Sequence, residues 1–273
     1  MLGQQLENVR KKEPLIHNIT NYVTVNDCAN ILLACGGSPI MADYVGEVEE
    51  ITAICAGLNI NMGTLNPDTI SAMVAAGKKS NQLGHPVVLD PVGVGASALR
   101  VKAANILTNE VRFTTIRGNS SEIKTLAYGQ GTTRGVDADL VDVVTEETIE
   151  DTIVFAKSLS ERMGSIIAIS GAIDIVADTK KAYVIRNGHA MMSRVTGTGC
   201  MLSALTSAYL AANPLTPLEA TAAAVCAMGL CGEQAFRRLD QLDGNSSYRN
   251  YLIDAMYHLD GETLETGARY EEC

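Results

Sequence analysis

Tryptophan is absent from the 273 residues and phenylalanine occurs only three times, yet 47% of the chain is apolar. The interior therefore has to be built from Ala, Ile, Leu, Val and Met, a palette that suits helices layered on a parallel sheet. No uninterrupted apolar stretch approaches the roughly 18 residues that a membrane span needs. The opening MLGQQLENVRKKEP carries charge throughout and has no apolar core of signal-peptide type. Secretion and membrane insertion are both disfavoured, and a cytoplasmic chain is expected. Basic residues are also short in number, 21 Lys and Arg against 31 Asp and Glu, for a formal charge of −10. With no basic run and no aromatics interleaved with basic residues, a nucleic-acid or anionic-membrane partner is not expected. An anionic substrate would have to be gripped by local devices.

Other absences narrow the class further. The seven cysteines (Cys28, Cys35, Cys55, Cys200, Cys226, Cys231, Cys273) include no C-x-x-C pair and sit mostly in apolar runs such as AAAVCAMGLCG. An odd, unpatterned set of that kind reads as reduced thiols. Only His17, His85, His189 and His258 occur, without metal-ligand spacing, which argues against a zinc hydrolase. Ala76-Gly77-Lys78-Lys79-Ser80 lacks the upstream glycine of a P-loop and has Lys where Ser or Thr should follow. No linker, charge block or repeat divides the chain, so one domain over residues 1–273 is expected.

What the chain does have is alternation. The pattern predicts an amphipathic helix over Leu2–Lys12, a strand over Leu15–Ile19 and a helix from about Thr24 that stops at Gly36-Gly37, since glycine tolerates positive φ. Further strands are predicted at Pro39–Met41, Leu58–Met62, Pro86–Leu89, Thr114–Ile116 and Ser165–Ser170. Helices near Glu47–Ala56, Pro67–Gln82, Arg100–Val111 and Glu146–Met163 fall between them, with a polar segment over residues 129–139. The strands are short and continuously apolar, as strands covered on both faces are. Ile173–Ala177 and Ala182–Ile185 then read as an antiparallel hairpin at one sheet edge. Ala-rich helices follow at Cys200–Ala211, Leu218–Arg238 and Tyr248–Leu259. The expected fold is α/β, a three-layer αβα sandwich with a mostly parallel central sheet.

In open α/β sheets ligands sit beyond the carboxyl ends of the strands. Four strand ends here are unusually polar: His17-Asn18-Ile19-Thr20-Asn21, Asp90-Pro91-Val92-Gly93, Arg117-Gly118-Asn119-Ser120-Ser121-Glu122 and Ser170-Gly171. Each alone is explained by a turn or a helix cap; the four together point to a site. The strongest signal is Thr196-Gly197-Thr198-Gly199-Cys200, followed directly by the apolar helix MLSALTSAYLAA. The glycines permit a sharp turn, and the amides of Gly197, Thr198, Gly199 and Cys200 can converge at the positive end of that helix. Such a nest suits a phosphoryl group in flight. The same field would pull down the Cys200 thiol pKa and make it a candidate base. The alternative is a glycine turn ahead of a buried cysteine.

Asp90 and Glu122 are the natural handlers of a hard cation such as Mg²⁺, with helix capping as the alternative for either. Arg117 offers a planar fork to phosphate oxygens. Gly93-Val94-Gly95-Ala96-Ser97-Ala98 matches G-x-G-x-x-A with Glu110 downstream, but Asp90-Pro91-Val92 separates it from its strand and the unit falls in mid-chain. A dinucleotide site is therefore discounted.

Seven motifs, in order and at suitable spacing, carry a resemblance over nearly the whole chain: PLIHNITN from Pro14, SPIMAD from Ser38, LNINMGTL from Leu58, VVLDPVGVGA from Val87, IRGNSSEI from Ile116, RGVDA from Arg134 and VTGTGC from Val195. The chain resembles the hydroxyethylthiazole kinase family of thiamine salvage, within the ribokinase-like superfamily. The resemblance implies transfer of the γ-phosphate of ATP, with Mg²⁺, to the hydroxyl of 4-methyl-5-(2-hydroxyethyl)thiazole. It implies that Met41 and Gly197 contact the thiazole, that Arg117 and Ser170 contact ATP and that Asn119 belongs to an N-x-x-E element. Cys200 stands where most of the superfamily places an Asp base, and Ser170 where Thr is frequent. The resemblance further implies a homotrimer with substrate sites at subunit boundaries, served by the HNITN asparagines, Asn21 among them. A polarizable thioether such as that of Met41 suits a neutral sulfur heterocycle. A kinase of a hydroxymethylpyrimidine or pyridoxal type is the nearest rival.

Overall fold

The computed structural model describes residues 2–129 and 143–273. The RGVDA motif and most of the expected polar segment lie outside them. Helix α1 (Leu2–Lys12) buries Leu2, Leu6 and Val9 and ends on Arg10, Lys11 and Lys12, cations that suit a helix carboxyl end. Strand β1 (Leu15–Ile19) leads to α2 (Val25–Cys35), which stops where Gly36 turns left-handed at φ +96°. The alternation continues through β2 (Ser38–Met41), α3 (Val48–Ile54), β3 (Gly57–Asn61), α4 (Pro67–Leu83), β4 (Val87–Asp90), α5 (Ala98–Glu110), β5 (Thr115–Asn119) and α6 (Ser120–Tyr128). After it come α7 (Ile149–Met163), β6 (Ile166–Ser170), β7 (Asp174–Ala177) and β8 (Ala182–Ile185). A single 3-10 turn over Ala190–Arg194 precedes α8 (Thr198–Ala212), α9 (Pro217–Arg238), α10 (Asn245–His258), α11 (Gly261–Gly267) and β9 (Tyr270–Glu272).

The nine strands form one sheet in the order β2-β1-β3-β4-β5-β6-β7-β8-β9. The first six are parallel, and β7, β8 and β9 add antiparallel. Helices α1, α2, α8, α9 and α10 bury their apolar faces in one core against the sheet, and α3 to α7 in another. This is the expected three-layer α/β sandwich. The Ala-rich composition of α8 and α9 has a packing reason: 12 of 15 residues of α8 and 16 of 22 of α9 are buried, and small side chains let backbone lie close to the sheet. At Gly57 an added Cβ would already touch Ala211 Cβ at 3.4 Å.

Two expectations need correction. Strand β5 does not end at Ile116. It runs on through Arg117-Gly118-Asn119, held by parallel pairing of Asn119 with Ser170. The β7–β8 hairpin is not the sheet edge, because β9 pairs outside it, Tyr183 opposite Glu272. Strand β9 is exposed at all three residues, so it carries none of the apolar signal by which strands are read.

Candidate active site

Chain order reverses around β1, which lies between β2 and β3. That switch point and its neighbouring strand ends form the crevice where open α/β sheets bind ligands. Register brings polar residues side by side: Asn61 beside Asp90 at the strand ends, and Asn18 beside Asn59 two residues further back along β3. Asp90 ends β4 fully buried. Its Oδ2 accepts from Asn61 Nδ2 at 2.8 Å and from Ser203 Oγ at 2.9 Å, and its Oδ1 faces Arg117 Nη1 at 3.6 Å. Arg117 Nη2 donates to Ser170 Oγ at 2.6 Å, so two adjacent strands present one guanidinium–hydroxyl pair.

From Asn61 the bonding runs toward α8. Asn61 Oδ1 accepts from Asn21 Nδ2 at 3.0 Å and from the Gly63 amide at 2.8 Å. The same Asn21 nitrogen donates to Cys200 Sγ at 3.3 Å, while Asn21 Oδ1 accepts from the amide and hydroxyl of Thr24. Gly197, left-handed at φ +91°, is the N-cap of α8, and the first backbone bond into the helix runs from Met201 N–H to the Gly197 carbonyl at 2.8 Å. The amides of Thr198, Gly199 and Cys200 precede that bond and have no acceptor inside the helix. They are the amides a passing phosphoryl group would meet.

Glu122 stands in the first turn of α6 in a capping box. Its Oε2 accepts the Asn119 amide at 2.9 Å, and Asn119 Oδ1 accepts the Glu122 amide at 2.9 Å. Glu122 Oε1 also accepts the Gly93 amide at 2.8 Å, which accounts for the glycine run after β4: Gly93 and Gly95 turn left-handed and deliver an amide to this carboxylate. The capping reading of Glu122 is thus observed, and a cap leaves further lone pairs on the carboxylate. Arg100 Nη1 donates to the carbonyls of Met62 at 2.6 Å and Val92 at 2.7 Å, and its Nη2 to Gly63 at 2.7 Å, which ties the loops after β3 and β4 together.

Burial sets the electrostatics. Burial pushes Glu122 up to about 7 and the Asp90 charge adds to it, against the Gly93 and Asn119 amides. Asp90 is also raised by burial, opposed by Arg117, Ser203 and Asn61. The Cys200 thiol is raised rather than lowered: burial and the Asp90 charge outweigh the hydrogen bonds from Thr24, Asn21 and Asn61. The expectation of a depressed thiol is therefore corrected, because removal from water acts on the whole thiolate charge while a helix terminus offers only a partial one.

The chain matches the profile of the hydroxyethylthiazole kinase family over residues 6–262. The chain belongs to the hydroxyethylthiazole kinase family. A hydroxyethylthiazole kinase of Clostridium acetobutylicum is 66% identical over 271 residues, covering 99% of each chain. One from Desulfovibrio desulfuricans is 48% identical over 96% of this chain and 95% of its own. Among solved structures, a hydroxyethylthiazole kinase from Pyrococcus horikoshii OT3 superposes with a TM-score of 0.88 at 33% identity, over 100% of this chain and 98% of the other. The pyridoxal kinase of Staphylococcus aureus in complex with ADP shares the fold, with a TM-score of 0.64 at 14% identity over 95% of this chain and 97% of that one. The fold is thus ribokinase-like.

Of the residues the sequence singled out, Asn21, Asp90, Arg117, Ser170 and Cys200 lie along one run of polar contacts, and Asn119 with Glu122 flank it. Met41 ends β2 half-buried, in register with Asn18, at the same sheet end but outside the bonded chain. Asn61, Ser203 and Arg100 were not singled out. Asn61 had a signal, a polar residue at the carboxyl end of a strand buried on both faces; Ser203 had one in its position a single turn after Cys200 on α8. A groove of about 850 Å³ lies at the opposite end of the strands, lined by His85, Arg112, Lys180 and Glu219 among others, and includes none of these residues.

Proposed function

We propose that the chain transfers the γ-phosphate of ATP to the hydroxyl of 4-methyl-5-(2-hydroxyethyl)thiazole, as a cytoplasmic step of thiamine biosynthesis. The observation that carries this reading is the left-handed turn at Gly197, which opens α8 with acceptor-less amides beside Cys200, at the strand ends that hold Asp90 and Arg117. The alcohol oxygen forms a bond to the γ-phosphorus as the bond to the β,γ-bridging oxygen breaks, and charge accumulates on equatorial oxygens that the Thr198, Gly199 and Cys200 amides face. Arg117, paired with Ser170, holds ATP phosphate oxygens through its fork. Where Cys200 carries its thiolate, which the Asn21 N–H stabilises as a donor, the hydroxyl proton leaves to Sγ and gives the thiol. With the thiol raised, the amide nest does more of the work than the base.

The acids fit Mg²⁺. Asp90 Oδ1 is buried without a hydrogen-bond partner, and Glu122 approaches the same region closely enough for the Asp90 charge to raise it. Among the described residues no three such groups cluster into an all-protein cage. That accords with an ion held mostly by phosphates and water. Bound there, Mg²⁺ supplies charge neutralisation to the polyphosphate. Met41 supplies a thioether wall for the thiazole. Tyr22 and Val23 after β1, with Tyr44 and Val45 after β2, are exposed apolar residues on adjacent loops at this end of the sheet. They support a homotrimer that buries them at a subunit boundary near the site.

The test is ADP release with MgATP against hydroxyethylthiazole, pyridoxal and hydroxymethylpyrimidine, repeated with Gly197→Val. Preference for the thiazole and loss of turnover in the variant are expected. Full turnover by Gly197→Val, or preference for the pyridine or pyrimidine, overturns the assignment.

A further inference from the structure

Between Thr24 and Asp90 every hydrogen bond points the same way. The Thr24 hydroxyl donates to Asn21 Oδ1, Asn21 Nδ2 donates to Asn61 Oδ1 and Asn61 Nδ2 donates to Asp90 Oδ2. All four side chains are buried. Asn61 is the member that fixes this direction. Its oxygen is held by two donors, Asn21 Nδ2 and the Gly63 amide, and its nitrogen by a carboxylate, so a flipped amide would oppose like groups at all three contacts. Because Asn61 takes one N–H of Asn21, the second N–H of that amide is left for Cys200 Sγ. A chain of donors aligned toward a negative charge also polarises each member in turn.

We propose that Asn61 is a positioning residue for phosphoryl transfer: it orients the Asn21 amide so that Cys200 Sγ is held as an acceptor while Asp90 is held on the other side. The proposal rests on the phosphotransfer reading above. The strand supplies its own control. Asn59 lies two residues earlier on β3, equally buried, and its Nδ2 donates to Asn18 Oδ1 at 3.1 Å, with no bond to Asn21 or Asp90. A purely structural need for buried asparagine on β3 predicts the same response at both positions. A positioning role predicts a response at Asn61 alone.

ADP release with MgATP and hydroxyethylthiazole is measured for the unaltered chain, Asn61→Ala, Asn21→Ala, the double variant and Asn59→Ala, with thermal melting to verify folding. Asn61→Ala is expected to lower kcat about 10- to 100-fold with KM for the thiazole within about threefold, since one buried hydrogen bond is at stake on each side. Asn59→Ala keeps kcat within about threefold. The double variant loses no more than the worse single one, because both residues serve one contact. Asn61→Ser takes the place of the alanine variant should that fail to fold, with the same pattern expected. Losses that multiply in the double variant, equal losses at Asn59 and Asn61, or an effect confined to KM overturn the positioning role while leaving the kinase reading intact. Absence of ADP release from the unaltered chain overturns both.

Discussion

Gly199 is the surface over which Arg117 passes. A Cβ built on Gly199 would stand 2.5 Å from Arg117 Nη1 and 2.8 Å from Nη2, closer than real Cβ contacts come. Gly199 is not among the left-handed glycines of the chain, so its missing side chain answers the guanidinium rather than the backbone. Gly197, two residues earlier, has both reasons: φ is +91° and an added Cβ would meet Thr24 Cγ2 at 2.5 Å. The two glycines of one motif are thus required for different physical causes.

The Gly199→Ala variant separates them. Its backbone tolerates alanine, and alanine is the better helix former, so the fold is expected to persist. The methyl group must displace the guanidinium from Ser170 Oγ and from Asp90. Loss of one charge-assisted hydrogen bond corresponds to about 10- to 100-fold in kcat/KM for ATP. Steady-state ADP release at varied ATP, with melting as the control for folding, reads this directly. An unchanged kcat/KM would show that Arg117 does not act on the nucleotide from this position.

The architecture was legible because the five inner parallel strands, buried on both faces, leave short apolar runs, and glycine stops such as Gly36 close the helices between them. The site was legible where a polar residue interrupts such a run at its carboxyl end, as Asp90 and Arg117 do. Elsewhere the signal was absent. Strand β9 is polar and exposed, and α11 buries only Leu264, so local sequence does not distinguish them from a tail. The rise of the Cys200 thiol was illegible for another reason: a motif displays the helix start but not the burial or the Asp90 charge that non-local packing supplies. Asn61 sat within a recognised motif, but its role depends on pairing with β4, which no spacing along one strand encodes.

Asp174 predicts a pH dependence of stability. It begins β7 buried, accepts the Gly171 amide at 2.8 Å and is pushed by burial from 3.8 up to about 7. A carboxyl raised in the folded state binds its proton more tightly there than in the unfolded chain. Its contribution is therefore most favourable below about pH 4, declines as pH rises toward 7 and is constant above that. Asp174→Asn keeps an oxygen for Gly171 and removes the charge. Melting temperature is expected to rise at pH 8, by an amount of order 3 kcal/mol in stability, and to be unchanged at pH 4. Parallel melting curves for the two proteins between pH 4 and 8 would contradict it.

The cysteines divide by burial. Cys28, Cys35, Cys55, Cys200, Cys226 and Cys231 are buried, and burial raises each thiol; Cys28 and Cys35 reach about 12. Cys273 is exposed. Because the thiolate is the reacting species, iodoacetamide at pH 7.5 is expected to label Cys273 first, with Cys200 slower by at least about tenfold. Peptide mass spectrometry over a time course reads both rates. Cys200 labelled as fast as Cys273 would mean that its thiol is activated in solution, and would restore a leading role for it as base.

Arg100 offers the last test, of what holds the strand ends in place. Its guanidinium bonds three carbonyls, of Met62, Gly63 and Val92, directly beyond the strands that carry Asn61 and Asp90. The planar fork reaches two loops at once; a lysine ammonium is a single point and satisfies one loop at the expense of the other. Arg100→Lys preserves charge, so any effect comes from geometry. Stranding part of this carbonyl set costs about 1–3 kcal/mol, or a melting temperature lower by about 2–10 °C in a chain of this size. If the clamp also fixes the separation of Asn61 and Asp90, kcat falls more steeply than stability accounts for at an assay temperature well below melting. Calorimetry paired with ADP release distinguishes the outcomes: a melting shift with normal kcat confines Arg100 to stability, and a loss of kcat in a fully folded variant places it among the residues that hold the site.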